Sequence, residues 1–261
     1  MWWKTIKLVP RYFMLSIQRT SEFKFSMYTY VSLYILQIIF FILFWKGVQP
    51  PTIRGWTIDC YYLLTGFATL NASLQEIVWA TGMLDLAILR GDLNVVLVRP
   101  ENSYFSLVCR RLGAMALLPA AMGFLTIILT LINYHHVELI RLSIACFCCL
   151  CAAIILRALM VIVCSFSFKF GKVKTLKAFI LNSKELSRYP LNILHPLFTA
   201  SFIFFFPVML VSTWPTMILR ISENFDILKM LLMTLFLTAA WVSIASWSWK
   251  YHLKHYEGYT G

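Results

Sequence analysis

Charge is what this sequence has least of. Only 13% of its 261 residues are Asp, Glu, Lys or Arg, where a water-soluble domain carries about 25%. Acidic side chains are especially few, 11 against 23 basic ones. No G-x-x-x-x-G-K-[S/T] phosphate loop occurs, which excludes ATP hydrolysis through that device. HExxH and GxSxG are missing as well, as are two separated Cys-x-x-Cys halves of a metal site. No catalytic pair stands out, so the chain reads as a non-enzyme with no cofactor of its own.

Apolar residues are abundant, at 60%, and they fall in runs too long for a soluble core. A run of about 20 apolar residues crosses the ~30 Å of bilayer hydrocarbon. Six stretches meet that length, at about 27–45, 58–79, 112–132, 139–165, 191–213 and 227–249. They lack the period-two alternation of a barrel strand. The expected fold is therefore all-α, a polytopic membrane protein in one transmembrane domain over 1–261. In residues 1–24 Trp2, Ile6, Val9, Phe13 and Ile17 recur at helical spacing opposite Lys4, Lys7 and Arg11. That pattern fits a helix lying in the membrane interface, or a soluble helix packed on a partner. Pro10 marks a kink or restart in it.

The formal net charge of +12 raises nucleic acid as a partner, but the cations sit in short segments between apolar blocks. Loops on the cytoplasmic side carry such an excess. With six spans, most of the 23 basic residues, including those of the segment KFGKVKTLKAFILNSKELSR, share one side with both termini. The expected setting is a multi-pass protein with both termini cytoplasmic and no nucleic-acid partner. The seven cysteines include the run CFCCLC, which reads as small apolar residues of a membrane helix. Cys60 and Cys109 fall near opposite surfaces on this topology, too far apart for a disulfide. His135 and His136 adjoin in an outer loop with no carboxylate beside them to complete a metal site.

Two places break the apolar pattern. Arg157 lies inside LCAAIILRALMVIVCSF, and intramembrane charges flag function. It suits an anionic headgroup, an ion pair with Glu76, or a snorkelling role. The other place is ILRGDLNVVLVRP, residues 88–100. Asp92 can cap a short helix, on which Leu93, Val96 and Leu97 share a face. Arg99 complements its C-terminus, and Pro100 ends it. The result is either a greasy two-turn helix made for a partner's groove or a solvated loop.

The order of these features resembles the permease subunits of type-2 exporter-class ATP-binding-cassette (ABC) transporters, in particular a six-span bacterial branch of similar length. The carrying motifs are ILRGDLNVVLVRP after the second span, RYPLNIL before the fifth, FFFPVMLVSTWP at its outer end and WSWKYHLKHYEGYTG at the C-terminus. The ending YEGYTG departs from the small-residue ending of that branch. The resemblance implies a bacterial inner-membrane subunit facing a second permease, identical or a sister, within the membrane lipids. It further implies cytoplasmic ABC ATPase subunits that bind ATP and Mg²⁺ and drive export of a lipid, drug or other amphiphile. It assigns ATPase coupling to Gly91, Asp92, Leu93, Val96, Leu97, Arg99 and Pro100. Pro207, Trp214 and Pro215 would shape the outer end of a pathway that includes Arg157 and Glu76. A membrane scaffold without transport is the alternative.

Overall fold

The computed structural model describes residues 9–48, 56–98, 103–109, 111–132, 138–220 and 223–256. Among them are helices and no strand. Arg99, Pro100, His135, His136 and the YEGYTG tail beyond Tyr256 lie outside the described residues, as do residues 1–8.

Helix α1, Val9–Glu22, buries none of its residues. Pro10 stands in its first turn, where a helix needs no backbone donor. Ser16 pins α1 to the bundle. Its hydroxyl donates to Leu112 O at 2.5 Å and accepts from Ala114 N at 3.1 Å.

Four helices are long and apolar enough to cross a membrane. They are α2, Lys24–Val48; a segment Ala114–Ile132 that ends in α7, Leu117–Ile132; a segment Leu139–Phe170 that begins with α8, Leu139–Ser165; and α13, Asn224–Lys254. α13 has 31 residues, about 46 Å at 1.5 Å per residue, so it outruns the hydrocarbon. A fifth span exists if α3, Ile58–Ile77, is joined to the segment Trp79–Leu89, from which it is bent by 66°. The bend has a local cause. The Gly113 N–H donates to Ile77 O at 2.9 Å and the Thr81 hydroxyl to Val78 O at 2.9 Å. These bonds take the carbonyls that a continuing helix would use.

The predicted fifth span, 191–213, is not one helix. A 3₁₀ turn, Leu191–Ile193, precedes α11, Pro196–Phe204; another, Pro207–Leu210, precedes α12, Thr213–Ile218. Pro190, Pro196, Pro207 and Pro215 each lack the backbone donor that an α-ladder requires. The longest piece has nine residues, about 14 Å.

The basic segment before it is also not a peripheral loop. A short helix α9, Ser167–Phe170, leads to α10, Lys174–Ser183, and a 3₁₀ turn, Lys184–Arg188. Lys177 pairs with Asp85, at the bend beyond the C-terminal end of α3. Lys184 adjoins Gln75 and Asn71 in the C-terminal third of α3. Arg188 stacks on Phe41 of α2 at 4.6 Å, Tyr189 meets Trp45 at 5.8 Å, and Ile193 packs on the Trp45–Trp56–Tyr61 cluster at the opposite end. Residues 184–193 thus run antiparallel to α3, while α10 before them packs on α8. α11 then returns, bringing Phe206 to Phe179 at 5.1 Å. The chain climbs once more, with the Ser212 hydroxyl donating to Ser187 O and Ile218 joining Leu63, Phe67 and Ala145. Three short legs stand where a cytoplasmic loop and one span were expected.

The larger buried cluster gathers around α8 with α13 and residues from 84–108 and 180–214, and a second lies between α3, α7 and α8. α3 and α7 touch backbone to backbone. A Cβ on Gly123 would stand 2.7 Å from Leu70 N, and one on Gly66 would stand 2.7 Å from Ile127 Cγ1. Close approach through small residues is the usual way membrane helices gain packing energy. By contrast α2 and α13 present most of their apolar surface outward.

Candidate functional site

Two places combine polar chemistry with an apolar frame: the insert after α3, and the facing sides of α3 and α8.

The insert comprises α4, Leu84–Leu89, α5, Asp92–Leu97, and α6, Ser103–Cys109. Gly91 joins the first two at φ 77° and ψ 5°, the left-handed region where glycine alone pays no Cβ penalty. Gly91 itself occupies the N-cap position, so the expected Asp92 cap does not form. Asp92 is the first helical residue, where its charge still complements the helix N-terminus, and it pairs with Arg111 at 3.5 Å. The expected greasy face is also different. Leu93 and Val96 are buried, Leu93 completely, in the chain's own core beside Leu84, Ile88 and Val108. Leu97 overhangs that contact at 43% exposure, next to Val95 at 60% and Val98 at 88%. The outward apolar ridge is therefore Val95, Leu97 and Val98.

The insert is fastened to the bundle by one strong contact. Lys177 of α10 donates to both carboxylate oxygens of Asp85 in α4, at 2.8 and 2.9 Å, and both side chains are largely buried. In α6, burial pushes the Tyr104 hydroxyl up to about 12 and the Cys109 thiol up to about 11. Both stay protonated at neutral pH, so α6 presents neither a phenolate nor a thiolate nucleophile.

The second place is a polar ladder. Thr65, Thr69 and Ser73 turn back onto the carbonyls four residues earlier in α3, satisfying themselves as such residues do in membrane helices. Asn71 instead crosses to α8, its Nδ2 donating to Cys149 O at 2.7 Å. Gln75 Nε2 donates to Asn71 Oδ1 at 2.7 Å, and Arg157 Nη2 donates to Gln75 Oε1 at 3.1 Å. Arg157 Nη1 donates to Thr81 Oγ1 at 3.1 Å. Each bond from the guanidinium stabilises by about 1.5–3 kcal/mol, as bonds to charged groups do. A continuous chain thus links mid-α8 to the bend at Thr81.

Glu76, named with Arg157 as a candidate pair, does not close on it. No ion pair involves Arg157 among the described residues. The Glu76 carboxylate faces α2 and accepts from the Tyr34 hydroxyl at 2.8 Å. Successive residues on a helix diverge by about 100°, which separates Glu76 from the Gln75 face that Arg157 uses. Sequence reasoning missed Asn71, Gln75, Thr81 and Lys177. The signal was there, because Asn71 and Gln75 lie one turn apart in an otherwise apolar run.

Pro207, Trp214 and Pro215 are buried. Pro207 follows Phe206, which touches Phe179 of α10 shortly beyond the Lys177–Asp85 pair. It therefore sits toward the insert end of the bundle and not at the far end. Trp214 packs in the core cluster that also holds Leu156 and Leu159 of α8. All seven cysteines are free, and Cys148, Cys149 and Cys151 pack as small buried side chains of α8.

A family model described as "ABC-2 family transporter protein" matches residues 31–260. No curated protein and no solved structure matches the chain.

Proposed function

This chain belongs to the ABC-2 family of transporter proteins, and on that premise we propose that it forms half of an export pathway driven by a separate cytoplasmic ATPase. As a member of that family it is a multi-pass transmembrane subunit of an ABC transporter, a non-catalytic transport component that works with an ATP-binding subunit. The proposal adds the mode of coupling, the partners and the setting. A second permease, identical or a sister, completes the pathway in a bacterial inner membrane. Both termini face the cytoplasm, and α1 lies along the membrane surface. The ATP and Mg²⁺ belong to the partner ATPase.

The observation that carries the coupling role is the shape of the insert. α5 presents the ridge Val95, Leu97 and Val98 outward while Leu93 and Val96 root it in the core. A ridge of this kind suits a groove on a partner. It is rigidly tied to the bundle, because Asp85 of the preceding helix holds Lys177 of α10. A push on α5 passes through α4 to the bend at Thr81 and through α10 to the three-legged segment. Gly91, Asp92, Arg99 and Pro100 remain assigned to the same coupling segment, with Gly91 as the turn that aims the ridge.

The test is copurification of the full chain with its ATP-binding subunit. A Val95→Asp, Val98→Asp double variant should lose the partner while its thermal midpoint stays that of the wild type. Retention of the ATPase by that variant overturns the docking role. A wild-type chain that recruits no ATPase favours a non-transporting scaffold.

A further inference from the structure

A cavity of about 700 Å³ lies between the bend after α3, α8 and the C-terminal half of α13. That volume is typical of sites for small organic ligands. Its walls are chiefly aliphatic, with Leu150 and Ile154 of α8 facing Val242 of α13. These three are partly exposed on helices long enough to span a membrane, so the opening lies on the lipid-facing flank. Polar groups gather at the other end: Thr81, Arg157, Ser103 and Lys250. Among the described residues no carboxylate lines the cavity, and the two charged side chains that do are cations.

Arg157 is the informative one. Its two Nη groups bond only neutral acceptors, Gln75 and Thr81. Its Nε is buried with no acceptor among the described residues, and the indole Nε1 of Trp249, on the same cavity wall, is in the same condition. A guanidinium set in a membrane protein with no carboxylate bonded to it is costly; Glu76, near enough to act on it through space, is bonded to Tyr34 instead. An acidic group entering from the cavity answers that deficit, and the aliphatic flank accommodates a hydrocarbon tail.

We propose that this cavity binds an anionic amphiphile taken from the bilayer, its acidic head toward Arg157 and Lys250 and its tail along Leu150, Ile154 and Val242. Lys250, exposed at the rim, meets the head first, and Arg157 holds it at depth. The cargo role of that amphiphile rests on the transport reading above; its binding does not.

The experiment uses the purified full chain in a neutral detergent and three labelled probes. These are lysophosphatidylglycerol with one negative charge, zwitterionic lysophosphatidylcholine, and uncharged monoolein. The anionic probe should bind about tenfold or more tighter than the other two, the factor expected from one charge-assisted contact. Arg157→Gln should bring the preference below about twofold, while Arg157→Lys, which keeps the charge, should retain most of it. If Arg157→Gln does not fold, Ser246→Trp carries the test. It sits at the exposed rim, should fold normally, and should weaken binding of all three probes by obstructing the cavity. Equal binding of charged and uncharged probes by the wild type overturns the proposal. So does unaltered binding by Ser246→Trp, or displacement of the anionic probe by inorganic phosphate at equal concentration. Charge-selective binding by a chain that recruits no ATPase overturns the transport reading and leaves the site standing. ATPase recruitment without charge selectivity overturns the site alone.

Discussion

At the scale of single residues, a buried polar group matters through the partner that answers it. The Lys177–Asp85 pair is largely out of water, with side-chain exposures of 16% and 6%. Removing one member of such a pair leaves an uncompensated charge and costs about 3–5 kcal/mol, whereas removing both costs far less. Lys177→Met alone should therefore lower the thermal midpoint of the detergent-solubilised chain markedly. Lys177→Met with Asp85→Asn should recover most of the loss, measured in the same melt. A double variant as unstable as the single one would mean that the pair contributes nothing specific. Not every such partner was readable from the chain. Arg157 stood out as a cation in an apolar run, but its acceptors Gln75 and Thr81 come from a different helix. Glu76, the acid nearest in sequence to those acceptors, turns toward Tyr34 instead.

At the scale of elements, α3 and α7 are held together by what their glycines lack. A side chain on Gly123 would meet the backbone of Leu70 at 2.7 Å, and backbone does not move aside as a flexible side chain does. Gly123→Val should force the helices apart, at a cost of about 1–3 kcal/mol or more from overpacking. A wild-type melting profile for that variant would show that the two helices do not touch as described. Gly47 is a fitting control, since a Cβ there meets nothing within 4 Å; Gly47→Ala should be neutral or slightly stabilising. The insert follows the same logic of placement. Leu93→Asp should destabilise the whole fold because Leu93 is fully buried, while Val98→Asp should leave stability unchanged and act only on partner binding. The sequence pattern identified α5 as a short amphipathic helix. It misassigned the outward face, because a six-residue helix packs by what surrounds it, and no local spacing reveals where Leu84, Ile88 and Val108 will stand.

At the scale of the whole molecule, the long apolar runs without proline were legible, and each became a helix close to its expected bounds. The stretch 174–218 was not. Hydropathy sees composition over a window and cannot see the chain fold back inside that window. Positive-inside counting likewise assumes that every cation between spans lies at a surface. Here Arg188 packs over Phe41, and Lys184 lies beside the C-terminal third of α3, because Glu185 of the same turn and an aromatic face of the bundle serve Arg188 as partners. The two topologies differ in a measurable distance. If 191–213 were one straight helix, residues 191 and 212 would stand about 31 Å apart at 1.5 Å per residue. Ser187, still further along, would then be out of reach of Ser212. In the folded-back arrangement the Ser212 hydroxyl donates directly to Ser187 O. Ser187→Cys with Ser212→Cys, introduced into the full chain in native membranes and oxidised mildly, should therefore give an intramolecular disulfide, read by peptide mass mapping. The seven natural thiols are free, and none is needed for this product. A matched pair, Ser187→Cys with Ser201→Cys, probes the descending leg and should give less cross-link, since Ser201 bonds within its own helix to Leu197 O. Abundant cross-linking of the first pair means that the chain re-enters the bundle beside α3. Its absence, with both cysteines accessible to a small thiol reagent, would restore a single straight crossing.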